Sequence, residues 1–278
     1  MLHWGTLYVC PTPIGNLQDI TLRVLDTLKK VDFIAAEDTR HSRKLLNYYD
    51  ITTPLISYHE HNERKRNEEL VNKLKEGKNG ALISDAGMPG ISDPGHILIK
   101  KCIEENIMVD VLPGANAALT ALVLSGMPAD SFVFLGFLPA GRSERRKTLE
   151  KVSSLTHTLI FYEAPHKLLK ALADILDIMG DREAAVTREL TKIHQEVHRG
   201  KVSQLLEEFN TDPPRGECCL LIDAFEETID PGDPSLWLKE YEQMILEGKD
   251  NKEAMKLTAK KYGVSKRDIY KAVLDKDR

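Results

Sequence analysis

Ser84-Asp85-Ala86-Gly87-Met88-Pro89-Gly90-Ile91-Ser92-Asp93-Pro94-Gly95 is the stretch on which the fold turns. An apolar run, Ala81-Leu82-Ile83, leads into it, and a helical pattern from Ile97 to Glu104 leads out. Three Gly, two Pro and two Asp stand between. Apolar run, Gly/Pro loop and helix, in that order, are the layout of a ligand loop at the carboxyl end of a parallel strand. Phosphate is a poor ligand for this loop. Two carboxylates would repel it, and no Lys follows the glycines as in a P-loop. Carboxylates and backbone carbonyls suit a cationic or hydroxyl-rich ligand.

Working outward toward the N-terminus, the same unit repeats. Gly5 to Cys10 reads as a strand and ends in Pro11-Thr12-Pro13-Ile14-Gly15-Asn16. An amphipathic helix with Leu22, Leu25 and Leu28 on one face follows. Strands at 32–36 and 54–58 run into Glu37-Asp38-Thr39-Arg40 and His59-Glu60-His61-Asn62, each followed by a helical pattern. Ile107 to Leu112 is a fifth strand, closed by Pro113-Gly114-Ala115-Asn116. Strands alternating with helices predict an open parallel sheet.

Beyond about residue 125 the pattern changes. Phe132–Phe137, His157–Tyr162, Ala184–Leu190, His194–Arg199 and Cys218–Ala224 read as strands. The third and fourth are only a few residues apart, which predicts antiparallel neighbours and a mixed sheet. Leu168, Leu169, Leu172, Ile175, Leu176 and Met179 form one apolar helix face, and Gly180 sits where the helix should stop. Asp230-Pro231-Gly232-Asp233-Pro234 reads as a linker, with only helices beyond it. Lys249 to Arg278 holds ten Lys/Arg against five Asp/Glu, and Tyr262-Gly263 divides two capped helices. That pair fits a helix-turn-helix and equally a solvated charged surface. The fold class is thus α/β. Residues 1–118 form a parallel-sheet domain, 119–228 a second α/β domain with a mixed sheet, and 229–278 a helical extension.

Composition sets limits. The 278 residues carry a net charge of −5, so no global positive field attracts nucleic acid, and any such binding must use local patches. No apolar run approaches the roughly 20 residues that span a bilayer, and the N-terminus lacks the pattern of a signal peptide. A cytoplasmic protein with no membrane partner is the expectation. Cys10, Cys102, Cys218 and Cys219 form no CxxC pair, and Cys10 and Cys219 lie in apolar runs, which predicts buried thiols.

The loops, taken in order, carry a resemblance. Pro11 to Asn16, Ala36 to Ser42, Tyr58 to Asn62, Ser84 to Gly95, Leu112 to Asn116, Phe161 to His166 and Thr187 to Lys192 together resemble the tetrapyrrole (corrin/porphyrin) methylase superfamily. Within it the chain is similar to the branch that methylates the ribose 2′-oxygen of small-subunit ribosomal RNA. The resemblance implies two α/β domains, S-adenosyl-L-methionine in a cleft between them, and a homodimer. It also implies a target cytidine in the decoding region, on 16S RNA or the assembled 30S particle. A methylase of a small porphyrin or corrin precursor is the alternative. A third reading is an assembly factor that binds RNA and only holds the cofactor. Thr12-Pro13 and Ser84-Asp85-Ala86 depart from the small-molecule enzymes, which points to the RNA branch.

By that resemblance, Pro13, Asp85, Ala86, Met88, Pro89, Asn116, Ala117, Tyr162, Leu190 and Thr191 line the cofactor. The residues themselves give the acceptor side. Glu37, Asp38, Arg40, Arg43, His59, Glu60 and Asn62 cluster at the ends of the second and third strands, on the rim of the cofactor loops. Tyr58 is their only aromatic. Methyl transfer from a sulfonium needs no Lewis acid, so no metal is expected. A ribose hydroxyl gains from proton removal, which His59 or Glu60 could provide, with Glu37 and Arg40 beside them. Positioning alone is the other route. Arg43, Asn62, Arg142, Arg145, Arg146, Lys266 and Arg267 are the candidate RNA contacts.

Overall fold

The computed structural model describes residues 4–225 and 233–276. The chain falls into two compact units, Met1–Phe225 and Glu226–Arg278.

The first unit holds two five-stranded sheets. In the first sheet the strands are β1 (Thr6–Val9), β2 (Phe33–Ala36), β3 (Leu55–Ser57), β4 (Gly80–Ile83) and β5 (Met108–Val111). All pair parallel, in the order β3-β2-β4-β1-β5. Inner strands β2 and β4 are buried throughout, as a strand covered on both faces must be. Helices α1 (Leu22–Lys30), α2 (Thr39–Tyr48), α3 (Glu63–Lys75) and α4 (His96–Glu104) supply the cover. Alternation along each strand sorts them. Ile34, Ala36, Ala81 and Ile83 pack with Val24, Leu28 and Leu46 of α1 and α2. Phe33, Ala35 and Leu82 pack on the other face with Leu70, Leu74, Leu98 and Cys102 of α3 and α4. The parallel sheet expected from the repeating pattern is the one observed.

Helix α5 (Ala117–Ser125) starts from an Asn116 cap, whose side chain accepts from the Leu119 N–H, and ends at Gly126 with φ +76°. Its residues are apolar nearly all round, so no amphipathic period marks it in the sequence. Two faces explain that. Ala118, Ala121 and Leu122 pack against Ile160, Ala185, Cys219 and Leu221 of the second sheet, while Leu119 and Val123 stay exposed.

The second sheet runs β6 (Phe132–Phe137), β7 (Thr158–Glu163), β8 (Glu183–Arg188), β9 (Glu196–Lys201) and β10 (Cys218–Ile222), in the order β6-β7-β10-β8-β9. Only β6 and β7 pair parallel, and β8 and β9 are antiparallel neighbours as expected. Its other face packs on α6 (Arg142–Val152), α7 (Pro165–Met179) and α8 (Val202–Thr211) around Leu149, Leu168, Leu172, Ile175 and Phe209. Gly180 closes α7 with a positive φ, as its position predicted.

The second unit contains α9 (Pro234–Leu246), α10 (Asn251–Tyr262) and α11 (Lys266–Lys276) around its own small core of Trp237, Ala259, Tyr262, Ile269 and Ala272. Most of the expected linker lies outside the described residues. Its last two residues start α9, with Asp233 accepting from the Ser235 N–H and Pro234 as the first helical residue. Ser265 and Asp268 cap α11 reciprocally, as expected. No described helix is long and apolar enough to cross a membrane.

Candidate active site

Parallel pairing gathers the loops after β1, β2, β3, β4 and β5 along one edge of the first sheet. Backbone bonds lock two of them together. Thr12 and Gly87 exchange N–H···O bonds of 2.9 and 3.0 Å, and the Thr12 hydroxyl donates to the Ser84 carbonyl at 3.0 Å. Gly87 has φ +80°, a conformation that a side chain would strain.

The second sheet brings its own row. Register sets Glu163 of β7 opposite Cys218 of β10, and Cys218 opposite Arg188 of β8. The ends of β7 and β8 therefore lie beside the start of β10. From there Tyr162, Glu163, Leu190, Glu217 and Cys219 face Ile14, Met88, Asp93, Asn116 and Ala117 of the first sheet's loops across a cavity of about 290 Å³. That is near the lower end of the roughly 300–1,000 Å³ usual for small-molecule sites. The walls are mostly apolar, Asp93, Glu163 and Glu217 bring carboxyl groups, and among the described residues no Lys or Arg lines the cavity.

Six expected cofactor residues line it: Ala86, Met88, Asn116, Ala117, Tyr162 and Leu190. The other four stand behind or beside it. Pro13 and Pro89 are buried in the loops that shape the wall. Asp85 accepts the Asp38 N–H at 3.1 Å, and Glu37 accepts the Asp85 N–H, so the pair ties the β2 loop to the β4 loop. The Thr191 hydroxyl accepts the Asn16 N–H at 3.0 Å, joining the β8 and β1 loops.

Asp93 was not singled out in the sequence, yet it lines the cavity. Burial pushes its carboxyl up to about 7, the nearby Glu37 carboxylate adds to this, and Asp85 contributes less. Glu37 is raised too, first by burial and then by Asp85. Glu163 is raised by burial, although its carboxylate accepts the Ala164 N–H at 2.9 Å. The signal for Asp93 was its place in the opening loop, where two aspartates looked equivalent.

The acceptor cluster is partly assembled. Glu37, Glu60 and His59 are close enough that each carboxylate and the imidazole act on Glu37. The His59 Nδ1 atom is buried and has no partner among the described residues. Arg40 projects outward with 91% of its side chain exposed, and Arg43 is exposed one turn on. Asn62 is bound up in its own loop, accepting from the His59 N–H at 2.9 Å and donating to the Ser57 carbonyl at 3.2 Å. Tyr58 lies in the core at 1% exposure, its hydroxyl donating to Asn67 Oδ1 at 2.9 Å, so it offers no ring to a substrate.

The expected basic patch on α6 is largely an internal ion pair. Arg145 is 4% exposed and meets Asp174 of α7 at 2.7 Å. Arg142 and Arg146 reach the same carboxylate at 3.4 and 3.3 Å. Arg145 is thus a structural cation, unavailable to phosphate, because leaving Asp174 buried and unpaired would cost far more. Arg142 remains mostly exposed. Lys266 and Arg267 are exposed at the start of α11. All four cysteines are buried free thiols. Among the described residues, no group of three or more His, Cys, Asp and Glu side chains converges as metal ligands.

Residues 6–206 match the family model described as Tetrapyrrole (Corrin/Porphyrin) Methylases. The chain is 47% identical over 272 residues to ribosomal RNA small subunit methyltransferase I of Halalkalibacterium halodurans, covering 96% of this chain and 93% of that one. To the protein of the same name from Thermotoga maritima it is 48% identical over 222 residues, which span 80% of this chain and all of that one. Among solved structures, that of a diphthine synthase superposes with a TM-score of 0.62 at 11% identity, covering 78% of this chain and 89% of that one, a likeness of fold alone.

Proposed function

The chain belongs to the tetrapyrrole (corrin/porphyrin) methylases, and from that premise we propose that it methylates the ribose 2′-oxygen of a cytidine in the decoding region of small-subunit ribosomal RNA. The observation that carries the reading is the likeness, along nearly the whole chain, to relatives named for small-subunit ribosomal RNA methylation.

S-adenosyl-L-methionine is the methyl donor of this family, and the cavity's chemistry suits it. The molecule is cationic and carries no phosphate, and the walls offer carboxyl groups and no basic side chain. Ala86, Met88, Asn116, Ala117, Tyr162 and Leu190 would hold it, with Asp93 and Glu163 toward its positive charges. When bound, it supplies an electrophilic methyl group on sulfur.

The chain's own side chains then have two tasks, to place a ribose at the cavity mouth and to take its hydroxyl proton. Asp93 is suited to the second, because its affinity for a proton lies near neutrality. His59, with a free ring nitrogen, and Glu37 stand on the same rim as further acceptors. Arg43 is free to meet phosphate, and Arg40, 3.6 Å from Asp38 but 91% exposed, stands one turn before it. A tetrapyrrole precursor fits less well, since its acidic side chains would meet carboxylates and no cation in the cavity.

The same reading places the enzyme in the cytoplasm, on 16S RNA or the 30S particle, as a homodimer. Support for the dimer comes from edge strand β5, with Met108 70% and Val111 52% exposed, together with exposed Leu119 and Val123 of α5. The test is methylation of 30S subunits from cells lacking this gene, compared with subunits whose target cytidine is 2′-deoxy. Methyl transfer to the first and not the second is expected. Equal transfer to both would refute ribose methylation.

A further inference from the structure

We propose that helix α2 and the groove beside it bind a single-stranded RNA segment flanking the target nucleotide, with the Tyr48 ring stacked on a base. The inference rests on the RNA reading above and extends it to a surface outside the methyl-donor cavity.

The first observation is charge. From Thr39 to Tyr49 the chain carries Arg40, Arg43 and Lys44 and no Asp or Glu, within a protein of net charge −5. Only Ser42, Leu45 and Leu46 of α2 are buried, so these cations and Tyr48 share the exposed side. Arg43 and Lys44 pair with no carboxylate among the described residues, whereas other basic side chains, such as Lys192, are engaged in ion pairs. Arg40 meets Asp38 at 3.6 Å yet stays 91% exposed, and with the unpaired Arg43 and Lys44 it completes the strip of cations that a phosphate backbone requires.

The second observation is a platform. Tyr48 is 60% exposed, but its ring is not loose. It packs edge-on against Tyr49, with centroids 4.9 Å apart, and the Tyr49 hydroxyl donates to the Leu17 carbonyl at 2.5 Å. Tyr48 forms one wall of a groove of about 580 Å³, opposite Asn16 and Gln18, Lys192 and His194. Ile193 in the same groove is 97% exposed. A held aromatic ring, an exposed aliphatic side chain and surrounding amides match the face and edge of an unpaired base.

The third observation is place. Two loops form both the groove and the methyl-donor cavity. Ile14 and Leu190 face the cavity, while Gly15, Asn16 and Thr191 face the groove. The loops touch closely, since a Cβ on Gly15 would come within 2.8 Å of the Leu190 carbonyl oxygen. At its other end, α2 begins at Thr39, directly after Glu37 and Asp38 of the acceptor rim. Its ten residues span about 15 Å. A strand whose target ribose sits at the rim therefore has a charged path along α2 to a stacking site.

The test uses fluorescein-labelled oligocytidylate in anisotropy titrations, and 30S subunits in methylation assays. Tyr48→Ala should weaken oligonucleotide binding about 5- to 100-fold, the range for removing one base-stacking ring. Tyr48→Phe should restore it. Arg43→Ala with Lys44→Ala should flatten the salt dependence by about 1.4 in slope, from about 0.7 per phosphate contact on a single strand. S-adenosyl-L-methionine affinity should not change in any of them. Normal methylation by the wild type, with Tyr48→Ala unchanged in binding and rate, overturns this inference alone. So does a Tyr48→Ala protein that binds oligocytidylate normally but no longer self-associates, since the face would then join two copies. Failure of the wild type to methylate 30S subunits overturns the RNA reading, and this inference with it.

Discussion

Replacing Asp93 with Asn should make the protein more stable at pH 8 and less than half as much more stable at pH 5. The carboxyl is pushed from its ordinary 3.8 up to about 7, first by burial, then by Glu37, with Asp85 behind. A group with a raised acid pKa binds its proton more tightly in the folded chain than in the unfolded one. Below about 4 both states hold the proton and nothing is lost. Between about 4 and about 7 the unfolded chain ionises first and folding weakens, and above about 7 the cost is full. A difference of about three units is about 4 kcal/mol at 1.36 kcal/mol per unit. Asp93 keeps part of its surface in water, so screening reduces this to about 1–2 kcal/mol. For a unit of this size, that is roughly 2–8 °C in Tm. Thermal unfolding of both proteins at pH 5 and pH 8, without ligand, is the assay. The expected gain at pH 5 is about a third of that at pH 8. An equal Tm difference at both values, or a loss at pH 8, would show that Asp93 is not held against its charge. The same variant should slow methyl transfer at pH 8, if Asp93 takes the hydroxyl proton.

Arg145→Ala should destabilise the first unit by close to 3 kcal/mol, the low end of the range of about 3–5 for a broken buried pair, because Arg142 and Arg146 still reach Asp174. Urea denaturation measures it, and a loss below about 1 kcal/mol would mean that the pair is dispensable. Ending the chain at Phe225 should leave a folded unit with normal S-adenosyl-L-methionine affinity and weaker binding to 30S subunits. Calorimetry and filter binding separate the two, and undiminished particle binding would remove the basic helices from the substrate surface.

What could be read in the sequence was whatever has a local cause. The strands of the first sheet announced themselves by apolar runs, β1, β4 and β5 ending in Gly/Pro loops and β2 and β3 in polar ones, and parallel pairing then put those loops on one edge without further information. In the second sheet, strand spacing reached only the antiparallel neighbours β8 and β9, while Tyr162 and Leu190 followed from the resemblance. What could not be read depends on partners far along the chain. Asp85 and Asp93 sit in one loop with similar neighbours, yet one accepts the Asp38 N–H and the other lines the cavity. Gly87, Gly90 and Gly95, with φ of +80°, +82° and +138°, turn the loop between them. Spacing does not report that geometry. Arg145 looked like a surface cation because Asp174, its partner, lies 29 residues away on another helix. Tyr58 looked available for the opposite reason. Its neighbours His59 to Asn62 are polar, but Asn67, one helix turn into α3, draws its hydroxyl inward.

The separation of charge explains how one edge of a sheet could serve two ligands of opposite sign. Among the described residues the cavity holds carboxyl groups and no cation, whereas α2, beginning just outside it, holds cations and no carboxylate. A cationic methyl donor is favoured inside and a phosphate backbone outside. On the proposed reading this also governs which part of the substrate approaches. A phosphate at the cavity mouth would meet Glu37, Asp85 and Asp93, where burial first and mutual repulsion second already raise Glu37 and Asp93. A ribose hydroxyl would meet proton acceptors there and can donate to them. The carboxylates that repel the backbone would thus be those that attract the hydroxyl. Neutralising them one at a time should therefore weaken methyl transfer more than it weakens RNA binding, whereas removing cations from α2 should do the reverse.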